Sequence, residues 1–352
     1  MAKKNSRENE QKLNYKAEIR LLKEQGPGRL YFLWGPEDYL REQYLAELRR
    51  CCLPEGEDSF SFRRMEGASL DLRELQDAVD ALPFMTERSF VELRDVDLNG
   101  LKDAEETIRL LSDIPDYCTL VFVQNTQFEP DGRLKIIKKL RELGRELHFT
   151  QQGQGPLLDW IIRRFGAAGK SVELEAAQRL MFISGELMSG LIPEIEKVAA
   201  YARGDRVTVS DVEAVANHIP EAKIFDMTEY IAQKKYNTAM AVLSELLSDK
   251  KQEVIPMLAM LGTQMRQLYG ARLALEKGLD SQYVMDCCKI RYEFVANKLM
   301  NAARGYTLPQ LKRAVEICAE TDFRLKSSGL DDREGMKEAV LRIAAGETGA
   351  ED

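Results

Sequence analysis

Histidine is scarce in this sequence, and its cysteines lack the spacing of a metal site. The 352 residues include only two histidines, His148 and His218, and neither lies near another candidate ligand in the sequence. A catalytic triad built on histidine therefore has little material, and we expect His148, in a strand-like run, to be a packed residue. The six cysteines contain no CxxC pair and are expected to be reduced thiols, at Cys51, Cys52, Cys118, Cys287, Cys288 and Cys318. We expect no metal and no cofactor.

Long apolar runs and a surplus of basic residues are also missing. No window approaches the ~18 apolar residues of a membrane-spanning helix, and residues 1–12 lack the apolar core of a signal peptide. We therefore expect residues 1–12 to be a disordered leader and the protein to be cytoplasmic. A net charge of −8 argues against a chain that coats nucleic acid by charge alone. The length of 352 residues is typical of two or three domains.

Helix and strand patterns alternate through residues 13–152. Continuous apolar runs at Leu30–Trp34 and Thr119–Val123 are typical of strands that are buried on both faces. The patterns of Ser59–Arg63, Phe90–Arg94 and Arg145–Thr150 predict three more strands, with amphipathic helices between the strands. Strands that alternate with helices predict an α/β domain with a mainly parallel sheet of about five strands.

Strand patterns nearly vanish after the Gly- and Pro-containing break at Gln151–Pro156. Residues 153–218 are predicted to form a small all-α unit, in which Ser210 is the expected N-cap of the last helix. Residues 219–346 are again helical and include a Met-rich face that is typical of a core or a subunit interface. Residues 347–352 are expected to be a frayed acidic tail.

The first predicted strand-turn-helix has the shape of a phosphate-binding loop without its chemistry. The pattern GxxxxGK[ST] supplies glycines for close approach to the phosphates, a Lys for their charge and a hydroxyl for magnesium. Gly35 matches the first glycine, but Leu40, Arg41 and Glu42 stand where the second glycine, the Lys and the Ser/Thr belong. Leu40 blocks the close approach, and Glu42 places a negative charge where phosphate charge would collect. We therefore expect this loop not to bind or hydrolyse ATP.

Two further groups of residues have both a chemical and a structural interpretation. The third strand has an acidic end, with three candidate metal ligands at Glu92, Asp95 and Asp97. Acidic residues after a strand are more often solvated turn residues or helix caps. The adjacent cysteine pairs are redox candidates, but such cysteines are more often small packed residues. The structural interpretation is favoured for both groups.

Basic residues near the C-terminal end are candidates to contact phosphates. They are Lys312, Arg313, Arg324 and Lys326. Acidic residues interleave with them, which favours a solvated face of mixed charge.

A bulky apolar cluster, Leu82-Pro83-Phe84-Met85, stands between a predicted helix and the third strand. Pro83 lacks a backbone N–H and fixes its own φ, so the helix is expected to end near it. The cluster either packs back into the core or stands out as an apolar anchor for a partner, since contiguous exposed apolar patches mark interaction sites. Both interpretations are open from these residues alone.

With these features in order, the chain resembles the delta subunits of the bacterial DNA polymerase III clamp loader over nearly its whole length. The matching segments are Leu30–Leu40, Leu82–Arg88, Gly185–Leu187, Glu194–Val198, Ala222–Asp226 and Asp322–Ser327. The resemblance implies an AAA+-type α/β domain, a small helical lid domain and an all-helical collar domain that assembles into a circular pentamer. On this chain these domains are expected at residues 13–152, 153–218 and 219–346.

The resemblance also implies a subunit without ATPase activity. The family's delta subunit binds no ATP, in agreement with the altered phosphate loop. ATP-using relatives carry an Arg after Gly-Asp-Leu in the lid, whereas this chain has Met188 after Gly185-Glu186-Leu187. No intrinsic catalysis is expected, although the subunit would belong to a DNA-directed DNA polymerase holoenzyme. Two alternatives stay open: an active AAA+ ATPase with a divergent phosphate loop, and an assembly scaffold that does not bind the clamp.

The family's delta subunit inserts an apolar pair into a pocket of the ring-shaped sliding clamp and opens one interface of the ring. By resemblance, the pair falls at Pro83 and Phe84, flanked by Leu82 and Met85, and these four residues are called the wedge. Many members have Leu at the position of Pro83. The implied partners are the sliding clamp (the beta ring), ATP-hydrolysing clamp-loader subunits and a delta-prime subunit in a heteropentamer, and primed DNA, without a membrane. Arg324 and Lys326 are the candidate DNA contacts.

Overall fold

The computed structural model describes residues 13–53, 60–101, 104–248, 253–290, 292–327 and 329–347. The predicted leader and residues 348–352 of the predicted tail lie outside the described residues. The chain divides into two compact units, residues 1–153 with 186–192 and residues 154–185 with 193–352. The predicted division into three domains stays a prediction. Among the described helices, none is long and apolar enough to cross a membrane.

The N-terminal unit alternates strands and helices, as its sequence predicts. Its elements are α1 (Tyr15–Gln25), β1 (Leu30–Trp34), α2 (Asp38–Cys52), β2 (Phe62–Glu66), α3 (Leu72–Asp80), β3 (Ser89–Arg94), α4 (Ala104–Ser112), β4 (Cys118–Val123), α5 (Lys135–Leu143) and β5 (Arg145–His148). All five strands are parallel and lie in the order β2-β3-β4-β1-β5. The predicted α/β fold with a parallel five-stranded sheet is confirmed.

Because the strands are parallel, the sheet has one edge at which all strands begin and one at which all strands end. Every strand begins at one edge, and β2 and β3 begin there side by side, with Phe62 opposite Phe90. Every strand ends at the other edge, where the chain leaves β1 after Trp34 and enters the loop before α2. Segments that precede β2 and β3 therefore meet at the amino-terminal edge, and the altered phosphate loop lies at the carboxyl-terminal edge.

Apolar side chains cover both faces of the sheet, which explains the continuous apolar runs of its central strands. On one face, Phe32, Val91 and Phe122 belong to a core cluster with side chains of α3, α4 and α5. On the other face, the ring of Tyr31 lies 6.4 Å from that of Tyr44 on α2. His148 at the end of β5 stacks on Trp34, with ring centroids 3.6 Å apart, and the expectation that His148 is a packed residue is confirmed.

The second strand was predicted at Ser59–Arg63, which is wrong in its position. β2 runs from Phe62 to Glu66, Phe60 and Ser61 lie in a turn before it, and Ser59 lies outside the described residues. In this turn Phe60 is exposed and Ser61 is buried. The reason is that the Ser61 side chain makes hydrogen bonds to a loop that is distant in sequence, which no local pattern reveals.

The second unit is mostly helical. The chain continues through α6 (Gln154–Ala167), β6 (Ser171–Val172), α7 (Leu174–Ser184), α8 (Met188–Tyr201), β7 (Arg206–Val207), α9 (Val209–Val215), α10 (Pro220–Ala232), α11 (Tyr236–Ser248), α12 (Val254–Glu276), α13 (Ser281–Cys288), α14 (Glu293–Ala303), α15 (Leu308–Ser327) and α16 (Asp332–Ala344). The start of α8, up to Ile192, belongs to the N-terminal unit. The predicted helical character of this part of the chain is confirmed.

The long helix α12 forms the centre of the second unit rather than one side of it. Its neighbours are α10, α13, α14, α15 and α16, and its buried residues include Met257, Leu261, Met265 and Ala271. The sequence predicts a single Met-rich face in this part of the chain, but a helix that is surrounded by others buries side chains around most of its circumference. Met257 and Met265 of the Met-rich face are therefore core residues.

Two predictions for residues 153–218 are wrong in detail. The segment is not all-α, because β6 and β7 form a two-stranded parallel ladder. Ser210 is not the N-cap of α9, because the helix begins at Val209 and Thr208 is its cap. The Thr208 side chain accepts from the Asp211 N–H, and the Asp211 carboxylate accepts from the Thr208 N–H. Thr208 and Asp211 thus form a capping box that their spacing in the sequence already contained.

Candidate protein-binding site

Three side chains of the predicted wedge stand in solvent. The exposed fraction is 77% for Leu82, 60% for Phe84 and 87% for Met85, and Pro83 is half-buried. The structure therefore excludes the interpretation that these three side chains pack into the core. An apolar cluster of this kind on the surface is typical of an interaction site.

The backbone around the wedge is folded tightly. Helix α3 ends at Asp80, and the chain crosses to β3, which begins at Ser89, through a loop that includes the wedge. Met85 has a φ of 58°, a left-handed conformation that costs a non-glycine residue roughly 1–2 kcal/mol. Such a conformation persists only where the surrounding contacts hold it, and the Met85 side chain is exposed.

The Ser61 hydroxyl supplies those contacts from outside the loop. Its Oγ accepts a hydrogen bond from the Phe84 N–H over 2.8 Å and lies 3.2 Å from the Phe84 carbonyl oxygen. The Thr86 hydroxyl lies 2.8 Å from the same Oγ and 2.9 Å from the Arg88 carbonyl oxygen. Because Ser61 is buried, this cluster of polar groups fixes the backbone beneath the exposed Phe84 ring.

Phe60 extends the exposed apolar surface beyond the wedge. Its side chain is 78% exposed, and its ring meets the Phe84 ring edge to face, with centroids 5.9 Å apart and an interplanar angle of 87°. The topology explains this contact, since Phe60 precedes β2 and Phe84 precedes β3 at the same edge of the sheet. Phe60 was not among the predicted site residues, and no local signal in the sequence marks it as exposed.

The altered phosphate loop lies at the opposite edge of the sheet, and a side chain from the first turn of α2 binds to it. Arg41 is buried and donates from Nη1 to the Gly35 carbonyl oxygen over 2.8 Å. Leu40 is also buried. Gly35 has a φ of 119°, and a Cβ at this residue would lie 2.5 Å from the Phe149 carbonyl oxygen. The glycine is thus required by the packing of the loop against the end of β5, whatever binds there.

The carboxylate of Glu42 is also paired within the N-terminal unit. Its two oxygens accept from both terminal nitrogens of Arg94, over 2.7 and 3.0 Å. Arg94 in turn donates to Glu92, which is fully buried and also pairs with Arg49 and Arg64. The expectation that Glu92 is a solvated turn residue or a cap is therefore wrong, because β3 points this side chain at three guanidinium groups.

Glu37 is the second buried carboxylate near this loop. Its Oε1 accepts from the Met188 N–H at the start of α8, over 3.3 Å. Its Oε2 accepts no hydrogen bond within the part of the chain that the structure describes. Burial raises the pKa of Glu37 to about 7, while the Met188 N–H acts in the opposite direction.

The other candidate residues do not assemble into a reactive centre. Asp97 accepts from the Gly100 N–H, as a turn residue does. Within the described ranges no group of three or more His, Cys, Asp or Glu residues has the geometry of a metal site. Cys52 is buried, as expected for a packed residue, whereas Cys51 and Cys287 are exposed, so that expectation is wrong for these two.

The candidate DNA contacts lie on α15 and are engaged by carboxylates of the same unit. Arg324 forms a bidentate pair with Glu338 on α16, over 2.7 and 3.1 Å. Lys326 donates to Asp322 over 2.8 Å. Both pairs are exposed, so that a competing phosphate would displace carboxylates that are still partly solvated.

Comparisons with known proteins identify one family in both units. The family model "DNA polymerase III, delta subunit" matches residues 31–150, and the model "DNA polymerase III delta subunit, C-terminal domain" matches residues 221–343. The chain is 23% identical to the DNA polymerase III subunit delta of Bacillus subtilis (strain 168). The 321 aligned residues cover 89% of this chain and 91% of that protein.

Two further similarities were found. A probable DNA polymerase III subunit delta of Aquifex aeolicus (strain VF5) is 22% identical over 217 residues, 61% of this chain and 61% of that protein. The solved structure of the Bacillus subtilis DNA clamp loader delta protein has a TM-score of 0.49 to this chain, with 19% identity over 94% of this chain and 99% of that chain.

Proposed function

Because the chain belongs to the family of DNA polymerase III delta subunits, we propose that its wedge binds the ring-shaped sliding clamp and opens the ring for loading onto primed DNA. The observation that carries this proposal is the exposure of Leu82, Phe84 and Met85 on a loop that the protein itself holds in place. The chain acts here as a binding protein and not as a catalyst.

The size of the exposed side chains fits a central anchor. Burying a Phe and a Leu or Met side chain contributes about 1.5–3 kcal/mol each, and interfaces concentrate their energy in such anchors. Phe84 is the principal anchor of the proposed interface, and Leu82 and Met85 flank it. Pro83 is half-buried. Because it lacks a backbone N–H and fixes its own φ, it prevents a helix from continuing into the loop.

Opening of the ring follows from differential affinity. A ligand shifts an equilibrium between two states only by the difference in its affinity for them. The wedge therefore binds the open or strained form of the clamp more tightly than the closed form. Insertion of the Phe84 ring into a pocket beside a clamp interface provides that difference.

The state of the phosphate loop supports a subunit that works without its own ATP. Arg41 donates to the loop carbonyl of Gly35, Leu40 carries a buried side chain, and Glu42 is held by Arg94. A nucleotide phosphate would meet a carboxylate and a filled loop where it requires open backbone N–H groups. ATP-hydrolysing partner subunits in a heteropentamer with a delta-prime subunit then control access of the wedge to the clamp.

The clamp-binding proposal is tested with the double variant Phe84→Ala, Met85→Ala in the full chain. Loss of two anchors is expected to weaken binding to the clamp of the same organism by at least a hundredfold, measured by surface plasmon resonance. Leu143→Ala is the matched control, because Leu143 is an exposed apolar residue of the same unit outside the wedge.

Two results would decide between this function and a scaffold that never touches the clamp. The double variant should still assemble with the other clamp-loader subunits, as measured by size-exclusion chromatography. Clamp affinity equal to that of the wild type would refute the wedge as the contact and leave the scaffold function.

A further inference from the structure

We infer that the clamp-binding element is built from two chain segments, in which Phe60 is a second aromatic anchor and Ser61 is the residue that positions Phe84. This inference rests on the proposed function of the wedge. It adds Ser61 and Phe60, which lie 23 and 24 positions before Phe84 in the chain. The partner it implies is the same clamp, with an apolar pocket that accommodates two rings in edge-to-face contact.

The exposed surface of Phe60 is continuous with that of the wedge. Its ring is more exposed than that of Phe84, and the two rings touch edge to face at 5.9 Å. Aromatic pairs prefer this arrangement, and large aromatic side chains dominate interface energetics. A partner that closes over Phe84 must therefore also cover the adjacent edge of Phe60 or leave the rim of its own pocket unfilled.

The backbone of Phe60 is held as firmly as that of the wedge. The Arg63 side chain donates from Nη1 to the Phe60 carbonyl oxygen over 3.2 Å. The next carbonyl oxygen, that of Ser61, accepts from the Phe90 N–H of β3 over 2.9 Å. Phe60 thus lies next to the ladder between β2 and β3, and its backbone is ordered before a partner covers the ring.

Ser61 connects the two segments through its side chain. It accepts from the Phe84 N–H, and the Thr86 hydroxyl lies within hydrogen-bond distance on the far side of the wedge. Without the Ser61 hydroxyl, the Phe84 N–H loses its buried acceptor, and Met85 loses the support for its left-handed backbone. A loop that is ordered before binding avoids the entropy cost of ordering during binding. Ser61 therefore increases clamp affinity without touching the clamp.

The role of Phe60 is tested with the full chain and the clamp of the same organism. Phe60→Ala is expected to raise the Kd roughly tenfold, as loss of a secondary anchor does. The matched control is Phe323→Ala, because Phe323 is a comparably exposed aromatic residue of the second unit. A Kd within about twofold of wild type for Phe60→Ala, with Phe84→Ala strongly weakened, would overturn the second anchor and leave the wedge intact. No effect of Phe84→Ala would instead overturn the proposed function itself.

The role of Ser61 is tested by a double-mutant cycle. Ser61→Ala is expected to raise the Kd several-fold in the wild-type background and less than about twofold in the Phe84→Ala background, because it acts through Phe84. An equal loss in both backgrounds would show a merely structural role and overturn the positioning role. If Ser61→Ala does not fold, Thr86→Val removes the neighbouring hydroxyl with little change of shape. The same pattern of loss is expected for it, and equal losses in both backgrounds overturn the proposal.

Discussion

The Arg41 guanidinium, on the first turn of α2, donates to the carbonyl oxygen of Gly35, six residues earlier in the chain, in the loop that has the shape of a phosphate-binding site. A cationic side chain that folds back onto the loop cannot at the same time reach the phosphates of a nucleotide. The pairing of Glu42 with Arg94 adds a fixed carboxylate beside it.

These contacts predict that the full chain does not bind magnesium-ATP. Isothermal titration calorimetry should show no binding heat up to a nucleotide concentration of about 1 mM, which corresponds to roughly −4 kcal/mol of binding free energy. Arg41→Ala should behave in the same way, since Leu40 and Glu42 still oppose phosphate. Clear magnesium-dependent binding to the isolated chain would overturn this prediction and favour the alternative of an active ATPase.

Glu37 predicts a pH dependence of stability with a defined sign. Burial raises its pKa from 4.5 to about 7 in the folded protein. Between these pH values the folded state binds the proton more tightly than the unfolded state, so this group lowers the free energy of unfolding as the pH rises. Glu37→Gln removes this titration. The free energy of unfolding of the variant minus that of the wild type should therefore increase from about pH 5 to about pH 8.

Urea unfolding at a series of pH values measures this difference. Glu105→Gln is the control, because the Glu105 side chain is 76% exposed. Stability curves of wild type and Glu37→Gln that run parallel across this range would contradict the assignment.

The buried Glu92 is predicted to be a large contributor to the stability of the N-terminal unit. Glu92→Ala leaves Arg49, Arg64 and Arg94 facing one another without their common carboxylate. Breaking a buried ion pair from one side costs about 3–5 kcal/mol. Chemical denaturation should show a loss of this size, whereas Glu105→Ala, which removes an exposed partner of Lys135, should cost less than about 1 kcal/mol. Equal effects of the two substitutions would show that Glu92 is not held as described.

The candidate DNA contacts predict a salt-dependent effect that appears only in the assembled clamp loader. The double variant Arg324→Ala, Lys326→Ala should weaken binding of the complex to primed DNA and lower the slope of log affinity against log salt by about two. The midpoint of thermal unfolding should change little, because exposed ion pairs contribute about 0–1 kcal/mol each. An unchanged salt slope would overturn the assignment of Arg324 and Lys326 as DNA contacts.

The helices and strands could be predicted from local sequence patterns, whereas the side-chain contacts of the sites could not. The apolar runs of β1 and β4 and the helix periodicity were sufficient to predict a parallel sheet and a helical C-terminal region. The spacing of Thr208 and Asp211 in the sequence also contained the capping box, although Ser210 was the predicted cap. By contrast, nothing near Glu92 in the sequence indicates Arg49, which lies 43 residues away.

The candidate site likewise has features that can be read from the sequence and features that depend on the tertiary structure. The composition of Leu82–Met85 and the substitutions at Leu40, Arg41 and Glu42 are properties of the sequence, because the type of residue at each position is read directly from it. The exposure of Phe84, its contact with Phe60 and its support by Ser61 depend on the parallel pairing of β2 with β3. The sequence alone thus determined which side chains are available for an apolar contact. Only the tertiary structure decided which of them share a surface, because strand pairing brings together residues that are more than twenty positions apart.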